Sequence, residues 1–222
     1  MIRLFPERGG WLEVVCGPMF SGKSEELIRR LRRAEIAGQK ALIVKPRIDD
    51  RYDIGHVVSH AGAKMRALAV DCAGDIPGLV DGYDVVGVDE VQFFGPEIVV
   101  VVDSLVERGM RVVACGLDQD FRGRPFGAMP ELLCRAELVD KLQAVCHRCG
   151  GPATMTQRLV DGQPAPADGA TIVVGALEQY EARCRSCHEL AEPGSIAGEA
   201  DDARAELRLA ASGEARPAHA TG

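Results

Sequence analysis

Trp11-Leu12-Glu13-Val14-Val15-Cys16 runs directly into Gly17-Pro18-Met19-Phe20-Ser21-Gly22-Lys23-Ser24, and this junction decides the fold. The first six residues form a short, largely apolar run that stops at glycine, which reads as a buried strand. The next eight match G-x-x-x-x-G-K-S. Small residues let the backbone curl so that successive N–H groups converge on phosphate oxygens, and a helix starting at the loop's end adds its positive dipole end. In such a loop Lys23 supplies a point charge for the β/γ-phosphates and Ser24 a hydroxyl ligand for Mg²⁺. The alternative is a chance glycine-rich turn, and the phosphate reading requires a strand before and a helix after. Both flanks fit.

Outward from the loop, a helix is predicted from about Gly22 to Ala37, with Gly38 as its C-terminal stop. Leu27, Ile28, Leu31 and Ala34 recur at helical spacing, so Arg29, Arg30, Arg32 and Arg33 between them read as a solvated face. Ala41 to Lys45, Asp84 to Asp89 and Arg111 to Gly116 read as further strands, with Pro96 to Arg108 as a helix between the last two. Short Val/Ile/Leu runs alternating with helical patterns predict an α/β fold with a parallel sheet covered on both faces.

Asp89 and Glu90 stand at the end of the Asp84 to Asp89 strand, in Val88-Asp89-Glu90-Val91-Gln92-Phe93-Phe94. A carboxylate at a parallel strand's tip beside a phosphate loop is placed to join the Mg²⁺ shell, a role that suits Asp89. Glu90 would then face the catalytic space and take a proton from an attacking hydroxyl. An acidic strand-ending turn without chemistry is the alternative.

The chain holds eight cysteines. Cys16, Cys72, Cys115 and Cys134 sit singly in or beside apolar segments and read as small core residues. Cys146, Cys149, Cys184 and Cys187 form two C-x-x-C pairs, enough for a closed tetrahedral Zn²⁺ site that leaves no open position for catalysis. The gap between the pairs is long for a zinc ribbon, so the chain between them must make an excursion. A redox pair is the rival reading.

At 222 residues the chain fits one domain and a small annex. The expected division is a phosphate-loop α/β domain over 1–145, a β and loop annex over 146–191, and a disordered or fraying tail over 192–222. That tail is Ala, Glu, Gly and Arg without aromatics, and a short helix is its alternative. With Lys+Arg 26 against Asp+Glu 33 the net charge is −7, which does not favour nucleic acid as a partner. No apolar run approaches membrane-spanning length, so no membrane is expected. The opening MIRLFPERGG lacks an apolar signal region, which leaves the cytoplasm as the expected location.

Further stretches narrow the function. Gly116-Leu-Asp-Gln-Asp-Phe-Arg-Gly-Arg-Pro-Phe-Gly127 with Ala128-Met-Pro-Glu-Leu132 resembles the segment after the fourth core strand of thymidine kinases of the cytosolic type (type II). Lys45-Pro-Arg-Ile-Asp-Asp-Arg-Tyr52 with Val57-Val-Ser-His60 is similar to a loop region of that family. Val174-Gly-Ala-Leu-Glu-Gln-Tyr180, running into Cys184-Arg-Ser-Cys-His188, resembles its substrate loop. With GPMFSGKS and DEVQFF the similarity spans roughly Gly10 to Glu192, in the family's order.

The resemblance implies a RecA-like P-loop domain with a zinc-bearing lasso domain, assembled as a homotetramer. It implies transfer of the ATP γ-phosphoryl group to the 5′-hydroxyl of thymidine, with deoxyuridine also accepted, in nucleotide salvage. Triphosphate end-product feedback by dTTP goes with it. Carried over by position, Glu90 is the base; Gly17, Pro18, Met19, Phe20, Ser21, Gly22, Lys23 and Ser24 hold ATP; Asp89, Glu90, Val91 and Gln92 help with nucleotide and metal; and Asp49 and Arg51 lie near the phosphates. Met19, Phe93, Leu117, Phe121, Thr156 and Tyr180 would surround the nucleoside, while Thr171, Ile172, Val173, Val174 and Gly175 would read the base through their backbone. One position departs from the pattern: Ala176 stands where the family usually has a second glycine. His188 is placed to compete as a metal ligand. A zinc-containing P-loop ATPase acting on nucleic acid is the rival from another class, and an inactive nucleotide-binding regulator a second.

Overall fold

The computed structural model describes residues 9–47, 56–58, 64–171 and 179–193. Its elements in chain order begin with β1 (Trp11–Cys16), α1 (Lys23–Ile36), β2 (Ala41–Pro46), β3 (His56–Val58), β4 (Lys64–Val70), α2 (Ile76–Leu79) and β5 (Val85–Val88). There follow α3 (Glu97–Glu107), β6 (Arg111–Gly116), α4 (Met129–Arg135), β7 (Leu138–Lys141), β8 (Ala144–Val145), β9 (Pro152–Ala153), β10 (Met155–Val160), β11 (Gln163–Pro164) and β12 (Gln179–Arg183).

The central sheet has the order β3-β4-β2-β5-β6-β1-β7, and every pairing in it is parallel except β3 with β4. The fold is therefore α/β with a parallel sheet, as the alternating runs predict. β1, β5 and β6 lie side by side, in register from Trp11↔Arg111 and Val85↔Arg111. Their C-terminal tips thus open onto one crevice, the place where open α/β sheets bind ligands.

Strand alternation sorts side chains onto two faces. Leu12, Val14, Val86, Val88, Val112 and Ala114 pack with α3 residues Ile98, Val102 and Leu105 on one side. Val15, Ile43, Val85, Val113 and Cys115 pack with Leu27, Ile28, Leu31 and Ala34 of α1 on the other. Gly87 allows this second contact: a Cβ there would lie 2.9 Å from Leu31 Cδ2 and 3.0 Å from Leu27 Cδ1. Helix α1, which begins at the phosphate loop, is therefore seated tightly on β5, which carries the acidic tip.

Two expectations are corrected here. Arg30 is not on a solvated face: it is 6% exposed and donates to Glu13 Oε2 at 2.7 Å, to Glu26 Oε1 at 2.8 Å and to Asp140. Glu13, buried mid-strand on the α1 side, demands that partner. Burial pushes its carboxyl up, but Arg111, Trp11 and Arg30 outweigh burial and hold it below the usual carboxylate range. Cys72 and Cys134 are exposed rather than core residues, whereas Cys16 and Cys115 are buried as predicted. Cys134 sits on α4, whose buried residues are Met129 and Leu132.

After β7 the sheets are small: β8 pairs with β9, and β10 pairs with both β11 and β12, all antiparallel. Their apolar cluster is Ala144, Cys146, Ala153 and Ala182, with Cys184 and Cys187 against it. Such short side chains bury little area, so this part needs a further source of stability.

Candidate functional site

The loop at 17–24 folds back on itself as the motif requires. Pro18 O accepts hydrogen bonds from Lys23 Nζ and from Ser21 Oγ, both at 2.8 Å. Gly22, at φ +85°, caps α1 and accepts from Glu26 N–H at 3.0 Å. A Cβ at Gly22 would meet nothing within 4 Å, so it is the positive φ rather than crowding that favours glycine there. Lys23 is 8% exposed and Ser24 stands in the first turn. Phe20 adopts φ +65° and is 48% exposed, an unusual combination for an aromatic residue. Met19 N–H donates to Thr156 Oγ1 at 3.0 Å, which ties the loop to β10.

Past β5, Asp89 is 5% exposed and its Oδ1 accepts the Glu90 N–H at 3.1 Å. Burial and then the Glu90 charge push its carboxyl up to about 7, against hydrogen bonds from the Cys115 thiol and the Glu90 N–H and the Lys23 charge. A buried carboxylate facing a lysine at the loop is a fit for a divalent cation, which would favour the ionised form.

Glu90 adopts φ 49°, ψ 41°. A non-glycine residue in the left-handed region costs about 1–3 kcal/mol and persists only where its surroundings enforce it. Gln92 is the enforcer. It is 3% exposed, its Nε2 donates to Glu90 Oε2 at 2.6 Å, and its Oε1 accepts the Leu117 N–H at 3.0 Å. Gln92 thus spans the tips of β5 and β6 and aims the Glu90 carboxylate. Gly116 leaves room for this bridge, since a Cβ there would stand 2.2 Å from Gln92 Oε1.

The described residues assigned to the nucleoside have these surroundings. Phe93 meets Phe126 edge-on, with centroids 5.5 Å apart. Phe121 is buried, with the Arg122 and Arg158 guanidinium carbons 4.3 and 5.2 Å from its ring centroid. Thr156 is buried, and its Oγ1 accepts the Met19 N–H. Tyr180 and Phe20 line a cavity of about 490 Å³ together with Val145 and His147. Thr171 is exposed, and its Oγ1 accepts from Arg122 at 3.0 Å. Val91 is buried in the short turn after Glu90. Asp49, Arg51, Ile172, Val173, Val174, Gly175 and Ala176 lie outside the described residues, as does the tail from 194.

Sequence reasoning gave no role to Arg122 or Asp120, nor to the ion pair of Lys141 with Asp118 at 2.6 Å beside the loop. Gln92 was assigned to nucleotide and metal; its observed bonds are to Glu90 and Leu117. Asp118, Asp120 and Arg122 had one signal, their place inside the 116–127 stretch, and Lys141 had none.

The Sγ atoms of Cys146, Cys149, Cys184 and Cys187 all lie within 4.8 Å of one another, and those of Cys149 and Cys184 are 3.7 Å apart. A tetrahedral zinc with bonds of about 2.3 Å needs sulfurs about 3.8 Å apart, so these four thiols could hold one. Among the described residues that group comprises the four cysteines alone. His188 is engaged elsewhere, its Nε2 2.8 Å from Phe121 O. Bound there, zinc would join the β8–β9 turn to the end of β12 and supply the stability that the alanine cluster lacks.

Among solved structures, the X-ray structure of the Legionella pneumophila ATPase DotB is similar at 17% identity and a TM-score of 0.37. That match covers 60% of this chain and 35% of the other, so the chain spans about a third of the ATPase's length. A family model described as thymidine kinase matches residues 10–188, taking in the phosphate loop, the acidic tip, the turn after β6 and all four cysteines. With four-fifths of its length under that one description, the chain belongs to the thymidine kinase family.

Proposed function

We propose that the protein is an ATP-dependent thymidine kinase that transfers the γ-phosphoryl group of MgATP to the 5′-hydroxyl of thymidine, and of deoxyuridine, to give the 5′-monophosphate. One observation carries the reading: a left-handed Glu90 held by Gln92 at the strand tip beside a folded phosphate loop, within the family match. The N-terminus of α1 and the Lys23 charge receive the donor's phosphates. Mg²⁺ when bound neutralises charge on those phosphates. Asp89 and Ser24 would hold it. Glu90 takes the proton of the acceptor hydroxyl, and its fixed carboxylate orients that oxygen. Such a reaction gains mostly from positioning and charge stabilisation rather than from covalent chemistry.

With this reading go a nucleotide-salvage role, a homotetramer, a cytoplasmic location and dTTP as feedback inhibitor. Also proposed are the division at 145/146, a lasso domain to 191 and contacts of Asp49, Arg51 and residues 172–175 with substrates. No helix among the described residues is long and apolar enough to cross a membrane. The test is a panel of MgATP with each deoxynucleoside, and MgATP with DNA and no nucleoside. Monophosphate from thymidine and deoxyuridine alone supports the reading. DNA-stimulated hydrolysis without nucleoside phosphorylation would overturn it.

Zinc is expected at about one ion per chain, as a four-thiolate site requires. Cys146→Ser should lower the zinc content and the activity together. Fully active protein found free of zinc by elemental analysis would refute a structural metal.

The elevated Asp89 carboxyl gives a pH signature in protein free of metal and nucleotide. The folded state keeps a proton that the unfolded chain releases above about pH 4. The associated stability is present below that pH and is lost as pH rises through about 7. The melting temperature of Asp89→Asn relative to wild type should therefore climb between pH 5 and 8. A difference that stays constant over that range would show that Asp89 titrates normally.

A further inference from the structure

The turn after β6 carries a guanidinium that neither the phosphate loop nor the acidic tip uses. The Arg122 side chain is 10% exposed, and its donors reach across to the segment ahead of residue 172. Nε donates to Ala167 O at 2.8 Å, Nη1 to Thr171 Oγ1 at 3.0 Å, and Nη2 to Gly169 O. Nη1 also donates to Asp120 Oδ2 at 2.8 Å. Asp120 is itself buried, and its Oδ1 accepts the N–H groups of Arg122 and Arg124, both at 2.9 Å. The base of the arginine is thereby locked by its own turn. From β10, Arg158 adds a bond to Ala170 O at 2.7 Å, and both guanidinium groups rest on the Phe121 ring.

Carbonyls of an irregular segment need donors when water is excluded, and a planar fork supplies several in fixed register. Here Arg122 alone meets acceptors at 167, 169 and 171. The same turn follows Leu117, whose N–H bonds Gln92, which in turn aims Glu90. A short path therefore joins the proposed base to the segment before residue 172.

We propose that Arg122, seated on Asp120 and Phe121, is a positioning residue that fixes residues 167–171 and so sets how tightly and how selectively the nucleoside base is held. The inference rests on the kinase reading above, because Thr171 leads directly into residues 172–175, the run assigned there to the base. Recognition by main-chain groups is only as selective as the backbone is fixed. A segment free to shift can offer the wrong base a compromise at little cost.

The test uses the full-length protein with Arg122→Met and Arg122→Lys. In Arg122→Met the KM for thymidine should rise roughly tenfold or more, the scale of losing hydrogen bonds to a charged group. The KM for MgATP and the zinc content should stay put, and the preference for thymidine over deoxycytidine should fall by about tenfold or more. Arg122→Lys should fail to rescue, since an ammonium lacks the fork. Unchanged preference, or equal losses in kcat and in both KM values, would overturn the proposal and leave a merely structural arginine. If Arg122→Met does not fold, Thr171→Val decides: a rise in thymidine KM alone upholds the proposal, and no change overturns it. Wild-type protein inactive on every nucleoside would overturn the kinase reading instead. Hydrogen exchange at 167–171 in the Arg122 variants would then judge the anchoring alone, faster exchange upholding it and unchanged exchange overturning it.

Discussion

Glu90→Gln is expected to lower kcat about 10²–10⁴-fold, the usual cost of losing a general base, while MgATP still binds. The substitution keeps the shape and leaves an oxygen to accept the Gln92 Nε2 hydrogen bond, so the left-handed turn has no reason to relax. It also removes the charge that, after burial, contributes most to raising the Asp89 carboxyl. Asp89 should therefore ionise more readily in the variant, and metal-nucleotide binding should not weaken. Single-turnover rates and nucleotide titration separate the two effects. Activity within a few-fold of wild type would show that Glu90 takes no proton.

Deoxycytidine is expected to be rejected relative to thymidine by roughly 10⁴ or more in kcat/KM, the scale seen when a hydrogen-bonding site meets a substrate whose donors and acceptors are reversed. Thymine offers an acceptor at O4 and a donor at N3–H. Main-chain N–H and C=O groups match that pair and cannot rotate into their opposites as a hydroxyl can. Cytosine presents an amino donor at C4 and a bare acceptor at N3, leaving buried backbone groups facing like groups. Loss of the 5-methyl alone is worth only about 1–3 kcal/mol in an apolar pocket, so deoxyuridine should remain a substrate. Comparable kcat/KM values for thymidine and deoxycytidine would point instead to an adaptable side-chain pocket.

The parts of this molecule that could be read from residue order are those whose chemistry is local. The phosphate loop carries its glycines, lysine and serine within eight residues, and its flanking strand and helix form within a residue or two of where they were expected. The α/β class followed from short Val-rich runs, and the four paired cysteines from their spacing. What escaped depends on partners far along the chain. Arg30 lies at a polar position of an amphipathic helix, and only Glu13 and Asp140 across the sheet explain its burial. Leu138–Lys141 alternates weakly and becomes a strand because β1 offers it a parallel partner. Lys64–Val70, with Lys64 and Arg66 near its start, joins the sheet beside β2. Arg122 has no periodic signature at all; its meaning comes from two carbonyls and a hydroxyl 45 to 49 positions away.

The central claim is that an acceptor hydroxyl, not water, receives the phosphoryl group. The measurement that tests it most directly is the joint quantification of ADP and thymidine 5′-monophosphate in a reaction of purified protein, MgATP and thymidine. Equal molar amounts of the two are expected, with negligible ADP when thymidine is left out. ADP formed at the same rate without thymidine, or with no monophosphate beside it, would contradict a nucleoside kinase.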